Sequence, residues 1–130
     1  MRRHEQALCD ALNISITREG FTDLATRGLK FSGNAQRRKQ KFLLFHGTFL
    51  LDFDLSLIEA VLLPPPKQPD YRKNRTHEEF VTNLKVSRDA IKAILRRAWN
   101  ANETATDWPS ERVLELVEKQ YSHNEWNLKF

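Results

Sequence analysis

The sequence has few of the residues that build disulfides, thiolate metal clusters and glycine-rich phosphate loops. Its 130 residues include one cysteine and four glycines. A single cysteine permits no internal disulfide and no thiolate metal cluster, and the four histidines lack metal-ligand spacing. The P-loop, the dinucleotide-binding Gly-x-Gly-x-x-Gly element, the Gly-x-Ser-x-Gly elbow and the His-Glu-x-x-His helix are all absent. Metalloenzyme and hydrolase interpretations therefore receive little support.

Long apolar runs are also missing. No apolar run approaches the roughly 20 residues that a membrane-spanning helix needs, and the basic residues near Met1 are not followed by the apolar stretch of a secretory signal. We therefore expect a cytoplasmic protein with no membrane partner. A composition of 40% hydrophobic and 29% charged residues is typical of a globular protein with a core, and we expect residues 1–130 to form a single domain.

The charge is modestly basic and unevenly placed. There are 21 lysines and arginines against 17 acidic residues, a net charge of +4. The excess is concentrated in two clusters, Arg37–Lys41 and Lys67–Arg75. Such clusters suit a compact anionic ligand or an acidic protein at least as well as a nucleic acid duplex.

The apolar periodicity predicts an α+β fold, with a central and mostly antiparallel sheet flanked by helices. The predicted helices cover residues 2–12, 54–63, 88–99 and 109–121, and the predicted strands cover 14–17, 21–25, 29–40 and 42–53. Because residues 42–53 are almost continuously apolar, we expect a central strand covered on both faces. In the last helix we expect Val113, Leu114, Leu116 and Val117 to face inward. The long polar loop over 64–77 is expected to dock on the sheet and present a basic surface.

The strongest candidate for chemistry is Lys30, which lies between two apolar residues and just ahead of Gly33 and Asn34. Small residues in a strand often mark a place where the backbone approaches a ligand closely. A lysine there could form a Schiff base, bind an anion as a fixed charge, or merely cap the sheet at the surface. The neighbouring basic residues favour an anion, and an acyl-adenylate would offer a phosphate and a carbonyl on adjacent atoms.

Two further residues have alternative interpretations. Asp23 is either a turn residue bonded to local backbone, or a carboxylate that holds magnesium or an ammonium group near Lys30. His46 is either a buried core histidine or, because Gly47 follows it, a residue that faces a ligand.

These residues carry a resemblance to a known family. The segments that carry it are Gly28–Arg38, which includes Lys-Phe-Ser-Gly-Asn-Ala, then His46-Gly47-Thr48, Asp23-Leu24, the loop with Tyr71-Arg72 through Thr82-Asn83-Leu84, and Trp126-Asn127. Together they resemble the lipoate–protein ligase A family. The resemblance implies the biotin/lipoate protein ligase catalytic fold, which is like that of class II synthetases.

The resemblance also implies an activity and a site. Lys30 would contact the acyl carbonyl and the adenylate phosphate, and Asp23 would help to hold magnesium and phosphate. The residues expected to line or adjoin the pocket are Ser32, Gly33, Asn34, Ala35, Arg37, His46 and Gly47. The implied ligands are ATP, magnesium and lipoate or octanoate. The acyl group would pass to a lysine of a lipoyl carrier domain of a 2-oxoacid dehydrogenase or of a glycine cleavage H-type protein, with no nucleic acid partner.

One departure from the family pattern bears on all of this. The glycine-rich Arg-Arg-x-x-Gly-Gly-Gly loop of the family's N-terminal half has no counterpart here. We therefore expect residues 1–130 to be the C-terminal part of a catalytic domain, of doubtful activity alone. One alternative is an octanoyltransferase that uses a cysteine thioester and no ATP, although Cys9 lies too early in the chain for that role. The others are a non-catalytic module that binds a carrier domain or nucleic acid, and a nonfunctional remnant.

Overall fold

The structure is a computed structural model that describes residues 1–129. Its helices are α1 (Arg2–Leu12), α2 (Leu55–Val61), α3 (His77–Phe80), α4 (Arg88–Ala98), α5 (Ser110–Leu116) and α6 (Asn124–Asn127). Its strands are β1 (Thr17–Glu19), β2 (Asp23–Thr26), β3 (Leu29–Arg38) and β4 (Leu43–Phe49). A 3₁₀ turn covers Asp70–Arg72, and a π-helical turn covers Val117–Tyr121. In the described chain, no helix has the length and apolar character that crossing a membrane requires.

The four strands form one antiparallel sheet in the order β1-β2-β3-β4. This confirms the predicted α+β class and the hairpin of two long strands. Two helix starts are also confirmed, because Asp54 caps α2 and Ser87 caps α4 through their side chains. The first strand is displaced: the predicted segment 14–17 is mostly irregular, and its Ile16 enters the core just before β1 begins.

The core lies between the sheet and the helix pair α1 and α4. Its buried members are Leu8, Ile16, Leu24, Phe31, Ile91 and Ile94. Leu8, Leu24 and Phe31 are fully buried, and each contributes roughly 1.5–3 kcal/mol of hydrophobic free energy to folding. Since β2 and β3 are anchored in this way, the residues that alternate with Leu24 and Phe31 are held on a rigid support.

The strand predicted to be central is instead an edge strand. β4 pairs only with β3 among the described residues, and Leu43 and Leu44 are 61% and 57% exposed. The expectation that both faces are covered was therefore wrong. Among its apolar residues, Phe45 packs against His4, and Phe49 stacks on Phe31 with ring centroids 6.3 Å apart. The apolar run therefore correctly predicts a strand, but only part of that strand is buried among the described residues.

The inward face predicted for the last helix is also wrong. Val113, Leu114 and Val117 are 39%, 62% and 41% exposed. The segment from α5 to α6 packs on itself, as in the edge-to-face contact of Tyr121 with Trp126, whose ring centroids are 5.8 Å apart. Amphipathic periodicity predicts a helix with an apolar face, but it carries no information on which surface that face meets.

His4 gives the fold a predicted dependence on pH. The ring is buried against Phe45 and Phe49, and its Nε2 accepts a hydrogen bond of 2.8 Å from Trp99. Burial, followed by the N-terminal ammonium, lowers the pKa of His4 from 6.5. The unfolded chain therefore binds a proton at a higher pH than the folded chain, so stability rises with pH and is lost as pH falls below about 6.5.

We expect a lower melting temperature at pH 5 than at pH 7.5, and we expect His4→Phe to reduce that difference. His46→Gln is the matched control, because His46 is exposed and should leave the difference unchanged. Thermal unfolding followed by circular dichroism measures all three proteins. An unaltered pH difference in His4→Phe would contradict the assignment.

Candidate functional site

Lys30 is placed by an irregularity in the sheet. Leu24 pairs with Ser32 and Ala25 pairs with Lys30, so Phe31 has no partner on β2 and β3 bulges there. A bulge changes the direction of neighbouring side chains and often lies beside a functional site. Here Phe31 remains fully buried while Lys30 keeps a side chain that is 29% exposed. The bulge therefore presents the lysine at the surface of a strand that is otherwise anchored in the core.

Lys30 forms an ion pair with Asp23 across the sheet. The distance from Lys30 Nζ to Asp23 Oδ1 is 2.8 Å, and the Asp23 side chain is only 11% exposed. Asp23 stands opposite Gly33 in the register. A Cβ added to Gly33 would lie 3.2 Å from both Cε and Nζ of Lys30. Because Gly33 has no side chain, the lysine side chain can pass over position 33 and reach the carboxylate.

The second oxygen of Asp23 is also occupied. The Tyr71 hydroxyl donates to Asp23 Oδ2 at 2.8 Å. Burial, and then this hydrogen bond, raise the pKa of Tyr71 well above its usual range, so the hydroxyl remains a donor. The interpretation of Asp23 as a turn residue bonded to local backbone is therefore wrong, since both oxygens bind side chains from elsewhere in the chain.

An open cleft of about 320 Å³ adjoins this pair. It is lined by Phe21, Thr22, Asp23, Lys30, Lys67, Gln68 and Pro69. Two lysines against one carboxylate suit an anionic ligand. In the part of the chain that the structure describes, no three His, Cys, Asp or Glu side chains gather as a metal cluster. A magnesium ion could take one ligand from Asp23, whose oxygens retain free lone pairs, but would depend on phosphate and water for the rest.

The small residues after Lys30 have unequal roles. Ser32 is almost completely buried, and its Oγ accepts from the Asn34 amide, which also donates to the Thr22 carbonyl at 2.8 Å. Asn34 faces Gly47 across the β3–β4 pair, and a Cβ on Gly47 would overlap the Asn34 side chain and the Gly33 carbonyl. The glycine at position 47 therefore makes room for the amide that anchors β3 to the Thr22 segment.

Of the predicted site residues, only Asp23 and Lys30 are among the described residues that line the cleft. Ala35 pairs with His46, Arg37 pairs with Leu44, and these side chains are exposed along the outer half of the hairpin. His46 is therefore not a buried core histidine. The structure therefore places Asp23 and Lys30 in the cleft, with Gly33 against the lysine side chain. Ser32, Asn34 and Gly47 support β3 outside the cleft lining, and Ala35, Arg37 and His46 lie along the outer half of the hairpin.

The loop over 64–77 docks on the sheet, as predicted. Its arginines, however, do not form the expected basic surface. Arg72 is buried, and the guanidinium of Arg75 donates to the carbonyls of Gly28 and Tyr71 at 3.0 and 2.8 Å. Both guanidinium groups also lie over the Phe80 ring. These arginines bond backbone carbonyls within the loop and at the start of β3, where an unpaired carbonyl would be costly.

Cys9 does not take part in the cleft. It is half-buried on α1, packs against the core, and its Sγ lies 3.7 Å from the Ile16 carbonyl. This agrees with the general tendency of a free cysteine to behave as a small buried residue.

Tyr71 was missed as a site residue in the sequence. It is 48 positions from Asp23 and lies in a loop without regular periodicity. The available signal was the density of aromatic and basic residues in that loop, which is unusual for a disordered linker. The signal predicts docking but does not identify the atom that is bonded.

The comparisons with known proteins agree with this geometry. The family described as "Lipoyl protein ligase A/B catalytic domain" matches residues 1–99. The octanoyltransferase LipM of Oceanobacillus iheyensis is 27% identical over 134 aligned residues, which cover 93% of this chain and 49% of that protein. The chain thus spans about half the length of the curated relatives that it matches.

Two solved structures are also similar. A bi-partite lipoate protein ligase studied with its E2 lipoyl domain, from Thermoplasma acidophilum, superposes with a TM-score of 0.74 at 24% identity, over 97% of this chain and 56% of that one. A lipoate–protein ligase A bound with ATP has a TM-score of 0.66 at 26% identity, over 97% of this chain and 57% of that one. The fold predicted from the resemblance is therefore confirmed, and the chain belongs to the lipoyl protein ligase A/B catalytic domain family.

Proposed function

We propose that this chain carries the lysine-centred part of an ATP-dependent lipoate–protein ligase site. In the proposed reaction a lipoate or octanoate carboxylate attacks the α-phosphate of ATP, giving an acyl-adenylate and pyrophosphate. The amine of a carrier-domain lysine then attacks the acyl carbonyl, an amide forms, and AMP leaves with the bonding electrons of the broken C–O bond. The observation that carries the proposal is the Lys30–Asp23 pair, which lies at an open cleft over Gly33.

Lys30 is suited to stabilise the charge that develops in this reaction. Negative charge grows on the carbonyl oxygen during attack by the amine, and the leaving phosphate is also anionic. A fixed ammonium beside both oxygens would bind the transition state more tightly than the ground state. Asp23 would keep the ammonium aimed at the cleft, because the two groups are 2.8 Å apart. Where magnesium binds with ATP, it would neutralise phosphate charge, and Asp23 is the carboxylate that could contact it.

The second candidate is an octanoyltransferase that needs no ATP. The similarity to an octanoyltransferase over 93% of this chain favours it. If the transfer passes through a cysteine thioester, Cys9 is poorly placed to supply it, since its sulfur packs against the core and is not among the residues that line the cleft. We therefore rank the ligase first. A non-catalytic module that binds a lipoyl carrier domain would retain the fold but would show no turnover.

The deciding experiment incubates the chain with an apo-lipoyl carrier domain under three conditions: lipoate with ATP and magnesium, lipoate without them, and octanoyl-acyl carrier protein without ATP. Mass spectrometry of the carrier measures the gain of one lipoyl group, and a coupled assay measures pyrophosphate. We expect acylation that requires ATP, with pyrophosphate released. Transfer from octanoyl carrier protein without ATP would favour the second candidate, and carrier binding with no acylation under any of these conditions would favour the non-catalytic module.

A further inference from the structure

The carboxylate that pairs with Lys30 is held from two sides. One oxygen of Asp23 binds Lys30 Nζ, and the other accepts the Tyr71 hydroxyl, both at 2.8 Å. A carboxylate with a single partner can rotate about its Cβ–Cγ bond, because that terminal torsion is broad. A second, directional hydrogen bond removes this freedom. The position of the Lys30 ammonium is therefore set in part by a residue that does not contact it.

The Tyr71 hydroxyl is itself firmly placed. Its ring packs on Phe80 with centroids 5.0 Å apart, and the Tyr71 carbonyl accepts a hydrogen bond of 2.8 Å from Arg75. Arg75 also binds the Gly28 carbonyl just ahead of β3. The loop is thus fixed at both its backbone and its ring to the strand that carries Lys30.

The approach of this loop depends on Gly20. Its φ is +54°, a left-handed conformation that disfavours side chains, and an added Cβ would lie 3.2 Å from Pro69 Cβ and 3.6 Å from Tyr71 Cε1. The turn between β1 and β2 is therefore shaped to let Pro69 and Tyr71 come close. The same loop also contributes Lys67, Gln68 and Pro69 to the cleft.

We propose that Tyr71 is a positioning residue for Lys30, and that it acts through Asp23. When the loop is docked, its hydroxyl orients the carboxylate so that the ammonium is held over Gly33 at the cleft. When the loop is displaced, Asp23 can rotate and the ammonium loses its fixed direction. Docking of the loop, which also forms one wall of the cleft, is in this way coupled to the placement of the charge. The effect on turnover rests on the proposed function, whereas the effect on the ammonium does not.

The variant that tests this is Tyr71→Phe, which removes the hydroxyl and keeps the ring against Phe80. Tyr121→Phe is the matched control, because Tyr121 is half exposed and lies near the C-terminus. Both proteins, with the wild type, are studied by ¹H–¹⁵N NMR of the lysine ammonium groups, with the Lys30 signal assigned by its loss in Lys30→Met. No lipoate, ATP or carrier is needed for this measurement.

We expect Tyr71→Phe to shift and broaden the Lys30 ammonium signal, and Tyr121→Phe to leave it unchanged. Asp23→Asn removes the ion pair and should itself shift and broaden the Lys30 ammonium signal. Adding Tyr71→Phe to Asp23→Asn should produce no further change in that signal. In the transfer assay we expect Tyr71→Phe to lower kcat about tenfold with a smaller change in KM. An unchanged ammonium signal in Tyr71→Phe would overturn the inference, even if the ligase assay succeeds. A changed signal in a protein that transfers nothing would leave the inference standing and contradict the proposed function.

Discussion

Lys30→Met should abolish most of the acyl transfer without unfolding the chain. Methionine keeps much of the apolar stem of the lysine and removes the charge. Loss of one preorganised donor to a developing oxyanion typically lowers kcat by about 10²–10³-fold, and we expect a loss in this range. Removing the charge also takes the ammonium partner away from the poorly exposed Asp23 carboxylate, so a modest loss of stability is expected as well. Carrier acylation measured by mass spectrometry, at saturating lipoate and ATP, gives the rate.

Lys92→Met is the matched control for this substitution. Lys92 lies on the surface of α4, its side chain is 70% exposed, and its Nζ lies 4.0 Å from the carboxylate of Asp89. Its replacement removes the same charge from the chain but not from the cleft. Equal rates for Lys30→Met and wild type would contradict the role of the lysine. Equal losses in Lys30→Met and Lys92→Met would indicate that net charge, and not a placed ammonium, determines the rate.

Gly33→Ala should reduce activity while leaving the fold almost unchanged. The added Cβ would lie 3.2 Å from Cε and Nζ of Lys30, which is too close for the observed position of the side chain. The atoms it meets are the far end of a flexible side chain, so the lysine can move aside at little cost in stability. The lysine has to move by a few tenths of an ångström, and a displacement of about 1 Å in a catalytic group can cost about 100-fold in rate. We therefore expect a smaller loss of up to about tenfold, with a melting temperature within a few degrees of wild type.

Gly47→Ala provides the contrasting control. At that position the added Cβ would overlap the Asn34 side chain and also the Gly33 carbonyl oxygen, which is a backbone atom and cannot rotate away. The strain cannot be relieved by one flexible side chain, so Gly47→Ala should lower stability by about 1–3 kcal/mol. Thermal unfolding and transfer rates of both variants separate the two cases. If Gly33→Ala transferred at the wild-type rate, the claim that the position of the Lys30 side chain over Gly33 matters for transfer would be contradicted.

The local elements were predictable because they are encoded locally. The helices over 2–12 and 88–99 and the hairpin of two long strands follow from apolar periodicity, and Ser87 and Asp54 mark helix starts by capping. Lys30 was identifiable as a candidate because small residues follow it in a strand, and Asp23 was identifiable as its possible partner. These are properties of a few consecutive residues.

The features that were not predictable depend on contacts between distant segments. The bulge at Phe31 depends on how β3 pairs with β2, and the apolar pattern of one strand does not show where an extra unpaired residue is inserted against its partner. Tyr71 reaches Asp23 across 48 positions. The exposure of Leu43 and Leu44 was missed for a related reason: an apolar strand is suited to burial, but its pattern does not say whether the surface that would bury it belongs to the same 130 residues.

Calorimetric titration with a non-hydrolysable octanoyl-adenylate analogue, in which a sulfamate replaces the phosphate, tests the central claim most directly. It needs neither carrier domain nor turnover, and it asks only whether the cleft beside Lys30 binds an activated acyl group. The proposal predicts saturable binding at one site by the wild type and by Lys92→Met, and binding at least tenfold weaker by Lys30→Met. Equal affinity in wild type and Lys30→Met would contradict the claim that this lysine holds the acyl-adenylate.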